Sequence, residues 1–129
     1  MYVDASAQVA ILKGETEREF FLDAIEQADQ CITSPISVFE AAIALGTLTG
    51  SCVSALADAL QFLERADVSI EPIDEEHLID IAIARDTYGK GSSHPARLNL
   101  GDCISYAMAK RAGVPLLYKG NDFAHTDLG

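Results

Sequence analysis

The sequence predicts a three-layer α/β/α domain, in which helices cover both faces of a parallel sheet of four to five short strands. Three observations carry this. Short apolar or β-branched runs alternate with helical patterns of ten or more residues, the rhythm of βαβ units with right-handed crossovers. The chain has 129 residues, 49% of them apolar, enough for one buried core and no more, so residues 1–129 read as one domain. No internal repeat, linker or low-complexity tract interrupts the alternation.

Taken in order, Met1-Tyr2-Val3 is a strand that stops on Asp4 and turns into a helix over Ser6–Leu12, closed by Gly14. From Glu15 to Ala28, Phe21, Ala24, Ile25 and Ala28 fall at i, i+3, i+4 and i+7, one buried helical face. Cys31-Ile32-Thr33 is the second strand. Ser34-Pro35 supplies an N-cap and a proline suited to the first helical position, so a helix runs from Pro35 to about Leu48, ended by Gly50. Another follows from Ser51 to Ala66, with Val53, Leu56, Ala57, Leu60 and Leu63 as its inner face. Val68-Ser69-Ile70 is the third strand, and Asp74–Tyr88 a helix with Leu78, Ile81 and Ala82 inward. Gly89–Arg97 has loop composition. Asn99 caps a helix over Leu100–Ala112, terminated by Lys110, Arg111 and Gly113. Val114–Tyr118 is the fourth strand, and the tail Phe123–Leu128 leaves room for a short edge strand.

Charge and cysteine content exclude several classes. The net charge is −11, against wrapping nucleic acid by bulk attraction. The distribution is uneven, however. Between Arg85 and Lys119 six basic residues face two acidic ones, leaving three basic and eighteen acidic elsewhere. That segment is the one place for a polyanion to touch, although Lys110 and Arg111 also suit a helix C-terminus. Cys31, Cys52 and Cys103 are odd in number and widely spaced, which fits neither a disulfide framework nor a zinc knuckle. With no membrane-length apolar run and no basic leader, the expectation is a soluble, cytoplasmic protein without a membrane partner.

Four acids stand out. Glu40 shares a helical face with Ile36 and Ile43, where a carboxylate costs several kcal/mol unless protonated, paired or metal-bound; the bland alternative is an acid whose head reaches water. Asp102 lies three residues after Asn99, where an acid ordinarily completes a helix cap. Asp122 follows a strand in a Gly-Asn-Asp turn, and Asp is a turn former. Asp4 ends a buried strand, with capping as its own alternative role. Together they can meet beyond the carboxyl ends of the strands, where α/β sheets collect their ligands. Such carboxylates raise one another's pKa unless a cation compensates, and an oxygen-only ligand set selects hard ions, Mg²⁺ or Mn²⁺. That chemistry suits hydrolysis of a phosphodiester.

With these residues in hand, the chain resembles the PIN-domain ribonuclease toxins of the VapC type. The resemblance rests on Val3-Asp4-Ala5-Ser6-Ala7; on Thr33-Ser34-Pro35 through Phe39-Glu40-Ala41; on Leu98-Asn99-Leu100-Gly101-Asp102-Cys103 with Tyr106-Ala107; and on Leu117-Tyr118-Lys119-Gly120-Asn121-Asp122-Phe123 with Thr126-Asp127. It implies a PIN-like fold and a Mg²⁺- or Mn²⁺-dependent endoribonuclease whose acidic quartet is Asp4, Glu40, Asp102 and Asp122. Ser6 matches the family's small hydroxyl residue beside the first acid, and Asn121 borders the site. Asp127 either supports the site or merely ends the chain. The resemblance also implies a homodimer, an RNA substrate and a cognate VapB-type antitoxin, whose arginine can enter the acidic pocket. Lys90, Arg97 and His94 are the candidates for RNA contact.

Other classes fit less well. A receiver-type phospho-acceptor domain needs an acidic pair after the first strand and an acceptor Asp after the third, but Asp4 stands alone and the third strand ends Ile70-Glu71-Pro72. A haloacid-dehalogenase-like phosphatase needs Asp-x-Asp, and residue 6 is Ser. A catalytically silent interaction protein on the same fold stays open.

Overall fold

The computed structural model describes residues 1–129 and contains four strands and six helices. These are β1 (Tyr2–Val3), α1 (Ala5–Lys13), α2 (Arg18–Gln27), β2 (Cys31–Thr33), α3 (Pro35–Thr49), α4 (Cys52–Arg65), β3 (Val68–Ile70), α5 (His77–Tyr88), α6 (Leu100–Ala112) and β4 (Leu116–Leu117). All pairings are parallel, in the order β3-β2-β1-β4. Tyr2 faces Ile32 on one side and Leu116 on the other, and Val3 faces Leu117. The tail forms turns instead of a fifth strand.

Side chains of a strand alternate between faces, and here two residues suffice to divide the core. Tyr2, Ile32 and Leu116 join one apolar cluster with Leu98, Cys103, Ile104, Met108 and Phe123, beneath α5 and α6. Val3, Cys31 and Leu117 join a second with Ile11, Phe21, Ile25, Val38 and Leu63, beneath α1 to α4. The two clusters are the two halves of the α/β/α sandwich.

Local chemistry fixes the helix ends. The Ser34 side chain accepts from Ser37 N with Pro35 at the start of α3, and Asn99 and Asp102 form a reciprocal capping box at α6. Gly14, Gly50 and Gly113 close α1, α3 and α6 in the left-handed conformation.

Two helical faces differ from expectation. In α4 the core side is Ala55, Ala59 and Leu63, while Val53 is 81% exposed and Leu60 42%. In α5 only Ala84 is fully buried; Ile81 is half-buried, and Leu78 and Ala82 lie open. The apolar periodicity of both helices is wider than the sheet can cover, so the sequence spreads hydrophobic side chains over core and surface alike. β3, at the sheet edge, likewise buries only Val68.

Candidate active site

The order 3-2-1-4 places β1 at the switch point, where the chain has crossed from one edge of the sheet to the other. In open α/β sheets ligands bind at such a point, here beyond the carboxyl ends of β1 and β4. Asp4 follows β1 directly. It is 5% exposed and serves as the N-cap of α1, its Oδ2 accepting from Ser6 N at 3.0 Å and from Ser6 Oγ at 2.6 Å. Both readings of Asp4, as cap and as site acid, are thus compatible with one conformation. Ser6 Oγ in turn accepts from Lys119 N at 3.0 Å, tying the turn after β4 to the start of α1.

Asp102 stands at the start of α6. Its Oδ2 accepts from Asn99 N at 3.1 Å, and its own N donates to Asn99 Oδ1 at 2.8 Å. Burial pushes its carboxyl up to about 6, with Asp122 and Asp4 adding to the rise; the Asn99 bond and the charge of Lys90 oppose it. Glu40, in mid-α3, is half-buried, and no hydrogen bond or ion pair holds it. Desolvation, then the charges of Asp4 and Asp102, raise it to about 7. The Glu40 carboxylate lies over the backbone of Gly101, where a Cβ would collide with both its oxygens. Its helical neighbours Ile36 and Ile43 turned out to be 36% and 48% exposed, because the core edge of α3 is Val38, Ala41, Ala42 and Leu45. Glu40 is therefore not stranded among apolar side chains; its burial comes from α6 packing beside it. Asp122 is exposed in the turn after β4, within electrostatic reach of Asp102, and Asn121 beside it is exposed as well.

A group that the sequence did not point to lies underneath. Ser105 Oγ donates to Asp4 Oδ1 at 2.7 Å; Ser37 Oγ lies 3.2 Å from Ser105 Oγ, and the Tyr2 hydroxyl 2.7 Å from both Ser37 and Ser34. All are buried. Ser105 has spent its only proton on Asp4, so Ser37 must donate to it, and the row of hydroxyls points toward the carboxylate. Ser105 is three residues after Asp102, hence on the same side of α6, and that spacing was the available signal.

The basic segment is less free than its composition suggests. Lys110 pairs with Asp127 at 2.7 Å, Arg111 with Asp80 at 2.8 Å and Glu76 at 3.2 Å, and Lys119 with Glu15 at 3.0 Å and Glu17 at 3.1 Å. Lys90 and Arg97 remain exposed. His94 is half-buried, edge-on to Tyr88 with Nδ1 accepting from Ala96 N. Asp127 also takes the Tyr106 hydroxyl, so that it clamps the tail to α6 at residues one and two turns beyond Asp102.

Oxygen-only donors around an unpartnered Glu40 fit a hard divalent cation. The quartet is nevertheless open: the only acids and histidine whose ligand atoms close to within 4.8 Å are Asp74, Glu76 and His77. That group sits beside Arg111, nine residues and thus about 13 Å along α6 from Asp102. There His77 is already held by Asp74, and Glu76 by Arg111.

Comparison with known proteins shows the family and the fold of the chain. The PIN domain family model matches residues 1–128. Ribonuclease VapC28 of Mycobacterium tuberculosis is 41% identical over 98% of this chain and 93% of its own. A VapC ribonuclease of Rhizobium meliloti is 40% identical over 99% of each. In structure, the chain is similar to Mycobacterium tuberculosis VapC20, described as a toxin cleaving the sarcin-ricin loop. The TM-score is 0.74 at 16% identity, covering 98% of this chain and 94% of that one, a likeness of fold.

Proposed function

The chain belongs to the PIN-domain family and is a toxin endoribonuclease of the VapC type, and from that premise we propose that it hydrolyses RNA at the crevice formed by Asp4, Glu40, Asp102 and Asp122. The observation that carries this assignment is the Glu40 carboxylate lying over Gly101 at the start of α6, beside Asp102, with no hydrogen bond or ion pair to neutralise it; burial and the other acids raise both carboxyls. Nucleases of this family depend on a metal. Here Asp4, Glu40, Asp102 and Asp122 would hold Mg²⁺ or Mn²⁺, directly or through water. When bound, such an ion polarises the phosphodiester and makes water a better nucleophile.

The chain's own residues supply the rest. Asp4 is fixed by three hydrogen bonds, from Ser6 N, Ser6 Oγ and Ser105 Oγ, so its lone pairs keep one orientation. Asp102 is oriented by Asn99. The carboxylate of Glu40, free of donors, is the group placed to accept a proton at Oε1 or Oε2. Lys90 and Arg97, both exposed, draw the RNA backbone toward an otherwise acidic surface.

The partner reading extends from the same family. A VapB-type antitoxin would place an arginine among the carboxylates, and the exposed Phe39, Ile43 and Leu48 on α3 with Val53 and Leu60 on α4 offer apolar area for it or for a second copy in a homodimer. No helix is long and apolar enough to cross a membrane; we place the protein in the cytoplasm.

Purified protein with Mg²⁺ or Mn²⁺ should cut RNA, and EDTA and Asp4→Asn should each stop it. Should Asp4→Asn cut as well as the parent, the activity belongs to a contaminant. Mapping RNA ends after brief expression, with Asp4→Asn as control, identifies the target.

A further inference from the structure

Between α5 and α6 runs a groove of about 520 Å³, the size of a small-ligand pocket, which the acidic site does not include. Leu98 and Cys103, both buried, form its floor, and Leu78 and Leu100 stand exposed as its walls. Arg85, Lys90 and Asn99 close the rim. The groove and the acidic site share a boundary: Asn99 caps α6 by bonding Asp102, and Cys103 follows Asp102 directly. With its Oδ1 accepting from Asp102 N, Asn99 keeps an amide Nδ2 with no protein partner.

The chemistry of the lining narrows the occupant. An apolar floor rejects a phosphate, and two cations at the mouth reject a cation. Neither Arg85 nor Lys90 has an acidic partner, although acids outnumber bases twenty to nine; the Arg85 guanidinium is instead docked on the Lys90 carbonyl. The loop is also held in place, Lys90 N donating to Leu98 O at 3.0 Å and Leu98 N to Tyr88 O at 2.8 Å. A flat apolar group attached to negative charge suits this lining. Unstacked RNA bases stack on aromatic rings or Arg guanidinium planes and are hydrogen-bonded along their edges, and extruded bases are also held between apolar side chains.

We propose that this groove is a nucleobase subsite of the ribonuclease. It receives an unstacked base flanking the scissile phosphate, with Arg85 against its face, Asn99 Nδ2 at its edge and Lys90 on the adjoining phosphate. The inference rests on the ribonuclease reading above. It makes the groove a source of sequence preference, separate from the acids that support cleavage.

The test uses a short RNA containing one mapped cleavage site. Replacing each nucleotide near that site in turn by an abasic one should reveal a position where the parent protein loses tenfold or more in kcat/KM. Ala82→Trp, at an exposed position lining the groove, fills it from the solvent side. This variant should cut the intact RNA at least tenfold more slowly, and the abasic penalty at that position should shrink to less than twofold. A walk with no sensitive position, or a penalty that Ala82→Trp leaves unchanged, overturns the subsite while cleavage by the parent leaves the ribonuclease reading standing. So does an Ala82→Trp protein that cleaves normally but no longer binds its antitoxin or no longer dimerises, since the groove then belongs to a protein partner. If the parent cuts no RNA with Mg²⁺ or Mn²⁺, both readings fall.

Discussion

Ser105 gives its single hydroxyl proton to Asp4 Oδ1 at 2.7 Å, from a helix that begins 96 residues after Asp4. Sequence-distant elements are thus joined at the site's most buried acid. Ser105→Ala removes the donor to Asp4 Oδ1 and turns the Ser37 hydroxyl back to Tyr2, at a stability cost of about 1–2 kcal/mol. Residues that orient a metal ligand typically govern it by about 10–100-fold. Mn²⁺ affinity, followed by calorimetry, and cleavage rate should fall together in that range while circular dichroism keeps the native helix signal. Unchanged Mn²⁺ affinity would assign Ser105 to the core alone.

Gly101 is a second point of sensitivity. In a helix, Gly→Ala ordinarily stabilises by about 1 kcal/mol, but here the added methyl collides with the Glu40 carboxylate. Gly101→Ala should cut activity more than tenfold. The same change made in a Glu40→Ala background, where the collision is gone, should raise the melting temperature. A destabilised double variant would contradict the placement of Glu40.

The two raised acids set a pH dependence of unusual sign. In the metal-free fold Glu40 titrates near 7 instead of 4.5, and Asp102 near 6 instead of 3.8. Between these values the folded state holds protons that the unfolded chain has lost. Their contribution is therefore fully present at low pH and disappears as pH rises through about 6 to 7. In EDTA, thermal scans should give a higher melting temperature at pH 5.5 than at pH 8. Glu40→Gln should flatten that slope, and saturating Mg²⁺ should stabilise most at the alkaline end. A metal-free protein steadily more stable toward pH 8 would mean that Glu40 and Asp102 lose their protons no later in the fold than in the unfolded chain.

Lys90 and Arg97 are the exposed cations nearest the loop that leads into α6. Lys90→Ala with Arg97→Ala should slow RNA cleavage several-fold at low salt and reduce its salt dependence, since each phosphate contact contributes about one unit to the slope. Mn²⁺ affinity should not fall, because Lys90 is a cation acting on Asp102 and its loss removes repulsion of the metal, so cleavage and metal binding should part company; a salt series paired with calorimetry would check this.

The sequence made legible whatever is decided by chemistry within a few residues. Ser34-Pro35 and Asn99 through Asp102 mark the starts of α3 and α6 where the structure has them, because a cap is a local hydrogen bond. β2 and β3 also fall at the residues read for them. Which side of a helix meets the sheet is not local. Val53 and Leu60 continue the apolar stripe of α4 but lie outside the area the sheet covers, and periodicity does not separate a core face from one offered to another molecule. The acids were recognisable because carboxylates at strand ends and in mid-helix need a reason. Ser105 was not, since a serine in a helix is unremarkable until Asp4 is seen beneath it. The charge of Lys110, Arg111 and Lys119 was visible in sequence, but its neutralisation by Asp127, Asp80 and Glu15 depends on tertiary proximity.

The double duty of Asp4 and Asp102, each holding a helix start while standing in the acidic crevice, has a bearing on how the gene escapes its own toxicity. Where cells that survive expression carry changes in the toxin, those at these two positions other than to Asn, which still caps, remove a helix anchor along with the acid. The resulting proteins should be cleared by proteolysis. Survivors that still accumulate full-length protein should instead carry changes at Glu40, Gly101 or Asp122, so sequencing escape mutants sorted by toxin abundance reads the division between scaffold and chemistry directly from selection.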